Sequence, residues 1–274
     1  MANNRSIQHK NKSIHYRVLG KGMPVVLIHG FGEDGNIWNK LIKGLQNNFY
    51  FIIPDIPGSG KSELLDGDNV SIDDYAEVIK TIIDNELTKV SPMGEDLEGA
   101  VAALIGHSMG GYIALAFAEK YPHLLNGLGL FHSSAFADDE EKTQTRYKAI
   151  DFIKANGSYA FLKTSIPNLF ADKQYLKEME ILIEEGKKFN PEALIQYHQA
   201  MINRPDRTGV LKNFEKPVLF IIGEKDNAIP LQTSLQQCHL PAITYVNILE
   251  IGHMGMIEES SKSFQVIESF LQNI

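Results

Sequence analysis

Ser108 sits in the string Gly106-His107-Ser108-Met109-Gly110-Gly111, a Gly-X-Ser-X-Gly pattern. An apolar run, Ala100 to Ile105, precedes it, and a helix-like run, Tyr112 to Glu119, follows. A strand that turns at once into a helix leaves its central residue on a tight, strained elbow, with its side chain exposed at the top of a sheet. Glycines two residues either side let the flanking backbones close in, which a Cβ would resist. The start of the next helix supplies free N–H groups and a positive dipole end, a setting suited to a nucleophile. The same string also occurs in ordinary turns, so the reading depends on partners elsewhere in the chain.

A serine hydroxyl becomes a nucleophile when a base takes its proton and a third group orients that base. Nine histidines compete for the role of base. His253, in Glu250-Ile251-Gly252-His253-Met254-Gly255-Met256, lies at a late strand–helix junction that Gly252 and Gly255 keep open. His9, His15, His123, His198 and His239 read as surface or packing residues, His107 as directed elsewhere on the elbow, and His132 as the end of a strand. The orienting carboxylate is expected at another strand exit, where Gly223-Glu224-Lys225-Asp226-Asn227 offers Asp226. An Asx-turn is the plain alternative for Asp226, and Glu224, nearer the strand, is the rival acid. For the oxyanion, one N–H is expected from Met109, at the start of the helix after the nucleophile. The other is assigned to Phe31 in His29-Gly30-Phe31-Gly32, whose ring would also wall the acyl pocket.

These residues need a scaffold that presents loop ends along one edge. Residues 5–19 read as a hairpin, with Ile14, Tyr16 and Val18 alternating before Gly20-Lys21-Gly22 makes the turn. Pro24 to Ile28 and Pro217 to Gly223 are continuous apolar runs, as central parallel strands require. Further strands are expected at 49–53, 128–131 and 243–249, with helices from Ile37 to Leu45, over 72–87 and over 256–271. From Ala135 to Asn213 no strand is expected, only helical patches broken by Gly157, Pro167, Gly186, Pro191 and Pro205. Alternating strands and helices on both sides of that stretch imply a doubly wound α/β sheet. The core would comprise 1–134 and 214–274, with 135–213 inserted as a helical lid. Phe136, Phe152, Tyr159, Phe161, Leu162, Phe170 and Tyr197 are the lid residues that would line a pocket or pack between lid helices.

A net charge of −8 without a basic cluster argues against nucleic acid as a partner. A single cysteine, Cys238, excludes an intramolecular disulfide and suits a reducing cytoplasm. The polar start lacks the apolar core of a secretory signal, and no apolar run is long enough to span a bilayer, so a cytoplasmic protein with no membrane partner is expected. Gly58-Ser59-Gly60-Lys61-Ser62 imitates the end of a phosphate loop, but the full pattern needs glycine where Asp55 stands. No metal-ligand spacing appears, so neither metal nor cofactor is expected. A monomer or weak homodimer is expected.

With these stations in order, the chain resembles the α/β-hydrolase superfamily over nearly its whole length. The matching segments are His29 to Gly32, Asp55 to Ser62, Gly106 to Gly111, Gly223 to Pro230, and Gly252-His253. The resemblance implies a mostly parallel eight-stranded sheet with an inserted lid, and a triad in the chain order Ser108, Asp226, His253. It is nearest to the lidded group of esterases, perhydrolases and C–C bond hydrolases. Epoxide hydrolases and dehalogenases of that group carry Asp where this chain has Ser108. Members that place the acid one strand earlier would need a carboxylate where His132-Ser133-Ser134 stands. The acidic loop Ser91 to Gly99 and Ser260, where relatives often have proline, are the departures. The expected activity is hydrolysis of a small to medium carboxylic ester or related acyl substrate through an acyl-enzyme. Two alternatives stand beside it. One is C–C cleavage of a diketone, which needs an acid-binding arginine such as Arg146, Arg204 or Arg207 facing the pocket. The other is a ligand receptor that keeps the triad and signals through lid movement.

Overall fold

In the computed structural model, residues 2–43, 45, 47–90 and 101–274 are described. The acidic loop Ser91 to Gly99, and Ala100, with which the apolar run before Ser108 is expected to begin, lie outside them. β3 (Met23–Ile28), β5 (Ala102–His107), β6 (Leu125–Phe131) and β7 (Val218–Gly223) are buried along almost their whole length. Unbroken Val, Leu and Ile runs such as Val218-Leu219-Phe220-Ile221-Ile222 suit strands covered on both faces. With β1 (Asn3–His9), β2 (Lys12–Gly20), β4 (Phe49–Pro54) and β8 (Thr244–Leu249), they form one eight-stranded sheet in the order β1-β2-β4-β3-β5-β6-β7-β8. Only β1–β2 and β2–β4 pair antiparallel; every pair from β4 to β8 is parallel. The mostly parallel α/β sheet expected from the sequence is the one observed.

The order reverses after β3: the chain steps to β4 on one side, then crosses back to β5 on the other. Right-handed crossovers therefore put α1 (Asn39–Ile42) on one face, and α2 (Ile72–Val90) with α3 (Met109–Lys120) on the other. The reversal opens a crevice at the carboxyl ends of β3 and β5, where ligands bind in open α/β sheets.

Several boundaries differ from the sequence reading. The β1–β2 turn is Lys10-Asn11, both at positive φ, while Gly20-Lys21-Gly22 joins β2 to β3. The Ile37–Leu45 helix shrinks to a 3₁₀ turn, Gly35–Trp38, followed by the four-residue α1. The terminal helix is two, α9 (Gly255–Glu258) and α10 (Ser260–Leu271), separated at Glu259. Glu258 is engaged there, its carboxylate accepting from the N–H groups of Gly252, Met254 and Ala171. α8 (Leu231–Gln237) connects β7 to β8.

Between β6 and β7 lie α4 (Glu140–Ser165), α5 (Leu176–Glu185), α6 (Pro191–Ile202) and α7 (Thr208–Asn213), with no strand among them. Asp139 caps α4 by accepting from the Lys142 N–H, and Gly157, at φ 81°, breaks the helix in two. Asn190 and Pro191 start α6 as N-cap and first helical residue. α6 is fastened to the core: the Tyr197 hydroxyl donates to Pro57 O at 2.8 Å, Gln196 donates to Leu65 O at 3.0 Å, and Tyr75 donates to Gln196 at 2.9 Å. α5 reaches core residue Lys40, which is exposed, through an ion pair with the half-buried Glu178 at 3.8 Å. No described helix is long and apolar enough to cross a membrane.

Candidate active site

Ser108 stands between the last residue of β5 and the first of α3, at φ 51° and ψ −117°. Its N–H donates to Phe131 O at 3.0 Å, and its carbonyl accepts from Gly111 N and from Ser133 Oγ. A Cβ on Gly106 would run into the Gly110 backbone, and one on Gly110 into the carbonyl of Ile28, well inside contact distance. The turn is thus too tight for any residue but glycine at either site. Met109, as first residue of α3, has an N–H with no intrahelical acceptor.

His253 Nδ1 and Asp226 Oδ2 are 2.7 Å apart, both side chains almost completely buried. The other oxygen, Oδ1, accepts from the N–H groups of Ala228 and Ile229 at 2.8 and 2.9 Å. Asp226 thus makes its Asx-type turn and still reaches the imidazole. Burial alone would raise its carboxyl, but His253 and these donors bring it down to about 2, so it is ionised at neutral pH. Glu224 is exposed and takes no part. The backbone of His253 is pinned on both sides, its N–H donating to Leu169 O at 2.6 Å and its carbonyl accepting from His107 Nε2 at 2.9 Å.

Nε2 is thus a donor, and Nδ1 donates to the Glu33 carboxylate at 3.0 Å, so the His107 ring carries both protons. Glu33 also accepts from Gly30 N–H at 2.7 Å. Burial opposes charge on both groups, yet each partner's charge outweighs it, lifting His107 and lowering Glu33 from their ordinary values. The pair bridges the turn that holds Phe31, the elbow that holds Ser108 and the loop that holds His253. His29 is satisfied in place: Nδ1 donates to Gly30 O, and Nε2 meets the Ile56 N–H and the Ser59 hydroxyl. His132 lies fully buried, Nδ1 3.5 Å from Asp226 Oδ2, and burial keeps it neutral by lowering it well below the usual range.

A cavity of about 170 Å³ opens on Ser108 and His253. Phe31 lines it, and its N–H has no acceptor among the described residues. The Phe31 ring meets Phe161 at 6.0 Å and His198 at 4.6 Å. Of the aromatic and aliphatic residues named for the insertion, Phe161 and Leu162 line this cavity. Tyr197 is bonded to Pro57, Phe170 packs on Tyr175, Tyr159 lies under Lys187, and Phe152 is exposed. Sequence reasoning placed His198 among surface or packing residues. It is 95% buried on the cavity wall, with neither ring nitrogen bonded to a described residue. Of the three arginines, Arg146 lines the cavity, Arg204 stacks on Tyr112 at 4.0 Å, and Arg207 pairs with Asp73 and Glu119. A larger cavity of about 800 Å³ adjoins the first through Gly32, Glu33 and Leu182, beneath α5.

Residues 23–260 match the family described as "alpha/beta hydrolase fold". Lipase 1 of Psychrobacter immobilis is 26% identical over 92% of this chain and 78% of its own length. The pimeloyl-[acyl-carrier protein] methyl ester esterase of Legionella pneumophila (strain Corby) is 25% identical over 95% of this chain and all of its own. A thermophilic esterase from Thermogutta terrifontis, solved with malate bound, superposes with a TM-score of 0.87 at 25% identity, covering 99% of this chain and 98% of that one. The enol-lactonase of Burkholderia xenovorans LB400 has the same fold, with a TM-score of 0.86 at 20% identity over 98% of this chain and all of its own.

Proposed function

The chain belongs to the α/β hydrolase fold family, and from that premise we propose that it is a serine esterase working through a Ser108–His253–Asp226 triad. It is an enzyme, a hydrolase of this fold, and its likeness to lipases and esterases supports ester hydrolysis as its general chemistry. The observation that carries the finer reading is the buried 2.7 Å contact between His253 and Asp226, on a cavity that Ser108 also lines.

In the proposed cycle Ser108 Oγ attacks the ester carbonyl while His253 Nε2 takes its proton. Asp226 holds Nδ1–H and stabilises the imidazolium that forms. The carbonyl oxygen, now negative, accepts from the N–H groups of Phe31 and Met109. Collapse expels the alkoxide, to which His253 returns the proton, leaving an acyl-enzyme. Water, deprotonated by His253, then releases the acid and restores Ser108. The insertion 135–213 acts as the lid, supplying Phe161 and Leu162 to the wall of the acyl pocket.

Hydrolysis of p-nitrophenyl esters from acetate to laurate, by the unsubstituted chain and by Ser108→Ala, tests this. Multi-turnover cleavage that Ser108→Ala abolishes is the expected result, with an optimum at short acyl chains that a 170 Å³ cavity can hold. Inertness toward every ester, or full activity in the variant, overturns the assignment.

A further inference from the structure

Arg146 and His198 both line the cavity at Ser108, and each keeps hydrogen-bonding capacity that no described residue uses. The Arg146 guanidinium spends Nε and Nη2 on Asp138; Nη1 has no partner among the described residues. Asp138 is itself fully buried and also takes Nη2 of Arg204 at 2.9 Å. Two guanidinium ions therefore share one carboxylate, which leaves one positive charge unmatched beside the cavity. Lys142, one helical turn before Arg146 on the same face of α4, adds a second cation, its ammonium donating to Ala228 O, whose residue also lines the cavity. His198, close enough to feel the Arg146 charge, is held neutral first by burial and then by that charge, at about 3. A neutral imidazole always carries one N–H, and here that donor lacks an acceptor. Buried donors left unmet are costly unless something arrives to accept from them.

Building on the esterase reading, we propose that Arg146 and His198 form a carboxylate subsite, and that the substrate is an ester whose acyl chain ends in a second, free carboxylate. The acceptor they await is anionic, since it faces a guanidinium that shares its one carboxylate with Arg204, and a carboxylate has lone pairs enough to accept from a guanidinium N–H and an imidazole N–H together. Phe31 and Phe161, which pack on the His198 ring, together with Leu162, Ile166 and Met201 give the cavity an apolar lining that suits methylenes. The volume sets the length: a cavity of ~150 Å³ takes up a benzene-sized solute, so the 170 Å³ here holds an acyl chain of about four to six carbons with its terminal carboxylate. Half-esters of short dicarboxylic acids meet all three conditions.

The test reads binding apart from turnover. The Ser108→Ala protein is titrated by ligand-observed NMR with monomethyl glutarate and with dimethyl glutarate, which match in length and differ in charge. The expected result is binding of the monoanion tighter by about ten-fold or more, a charge-assisted hydrogen bond's worth of discrimination. In Ser108→Ala combined with Arg146→Gln the two ligands bind alike, while Arg146→Lys, which keeps the charge but not the fork, retains part of the preference. Equal binding of the two esters, or a preference that survives Arg146→Gln, overturns the subsite. Should Arg146→Gln fail to fold, His198→Leu in the Ser108→Ala background carries the same expectation of a reduced ratio. Turnover of monomethyl glutarate by the unsubstituted chain is measured in parallel. A preference for the monoanion in a chain inert toward this and every p-nitrophenyl ester keeps the subsite and overturns the esterase reading; turnover without a preference does the reverse.

Discussion

The Glu33 carboxylate lies 3.0 Å from His107 Nδ1 with both side chains almost wholly buried, so a single ion pair ties the Phe31 turn to the Ser108 elbow. Removing one partner strands the other's charge in the interior. Glu33→Gln is expected to cost about 3–5 kcal/mol, read from urea denaturation. Glu178→Gln, at the pair with the exposed Lys40, is expected to change stability by no more than ~0.5 kcal/mol. Comparable losses in the two variants would contradict the bridging role.

The same pair predicts how its stabilisation depends on pH. His107 is raised by folding, so its contribution is full below its unfolded value of 6.5 and is lost as pH rises through the folded value. Glu33 is lowered, so its contribution is full above 4.5 and is lost as pH falls through the folded value. The difference in stability between the parent and Glu33→Gln should therefore be largest in the window around neutrality and shrink on both sides. A difference that stays constant from pH 4 to 9 would refute the ion pair.

His198 acts with the opposite sign. Folding lowers it to about 3, so below 6.5 the unfolded chain binds a proton that the native chain refuses. Stability must fall as pH drops from about 6.5 toward 3, by up to ~1.4 kcal/mol per pH unit for this one proton. His198→Asn should flatten the acid limb by about that slope, seen by denaturation at stepped pH between 6.5 and 4.

Asp226→Asn keeps the shape of the acid but removes its charge and invites the wrong imidazole tautomer. Its kcat on the best p-nitrophenyl ester should drop by about 10⁴, with a far-UV spectrum unchanged. A loss of less than ten-fold would mean that another group orients His253. His132, 3.5 Å from the same carboxylate, would be the first to examine.

Two helical glycines differ in what an added methyl would meet. Gly110→Ala sets a methyl against the Ile28 carbonyl, and no soluble folded protein is expected. Gly209→Ala, in the first turn of α7 with open space around it and no positive φ, should be neutral or stabilise by about 0.4–1 kcal/mol. Thermal denaturation of the second and expression of the first decide the matter.

How much of this was legible in the chain follows from which residues speak locally. Glycine spacing around Ser108 and the apolar run ending at Gly223 announce an elbow and a strand exit, because their conformations depend on near neighbours. Asp226 and His253 could be picked out by position alone, each at the end of a strand. Glu33 and His107 could not: 74 residues separate them, and nothing in either local pattern marks a buried pair. His198 and Arg146 were equally opaque, because which helix faces of the insertion turn inward is decided by how α4 and α6 pack, not by their own weakly patterned sequences. The split of the last helix depends on Glu258 reaching back to Gly252, a contact invisible to helical periodicity.

His253 does not hang from the sheet alone. The peptide of His253 is strung between Leu169 in the insertion and His107 in the core, and a Cβ on Gly252 would strike the Leu169–Ala171 backbone. The insertion is therefore a structural member of the candidate site, comparable to a keystone rather than a hatch. Anyone exchanging it for a foreign one to change specificity must carry the 166–171 strip across intact. A graft that replaces only the wall at Phe161 and Leu162 preserves the anchor, whereas one that cuts at the β6 and β7 junctions would unseat the imidazole along with the pocket.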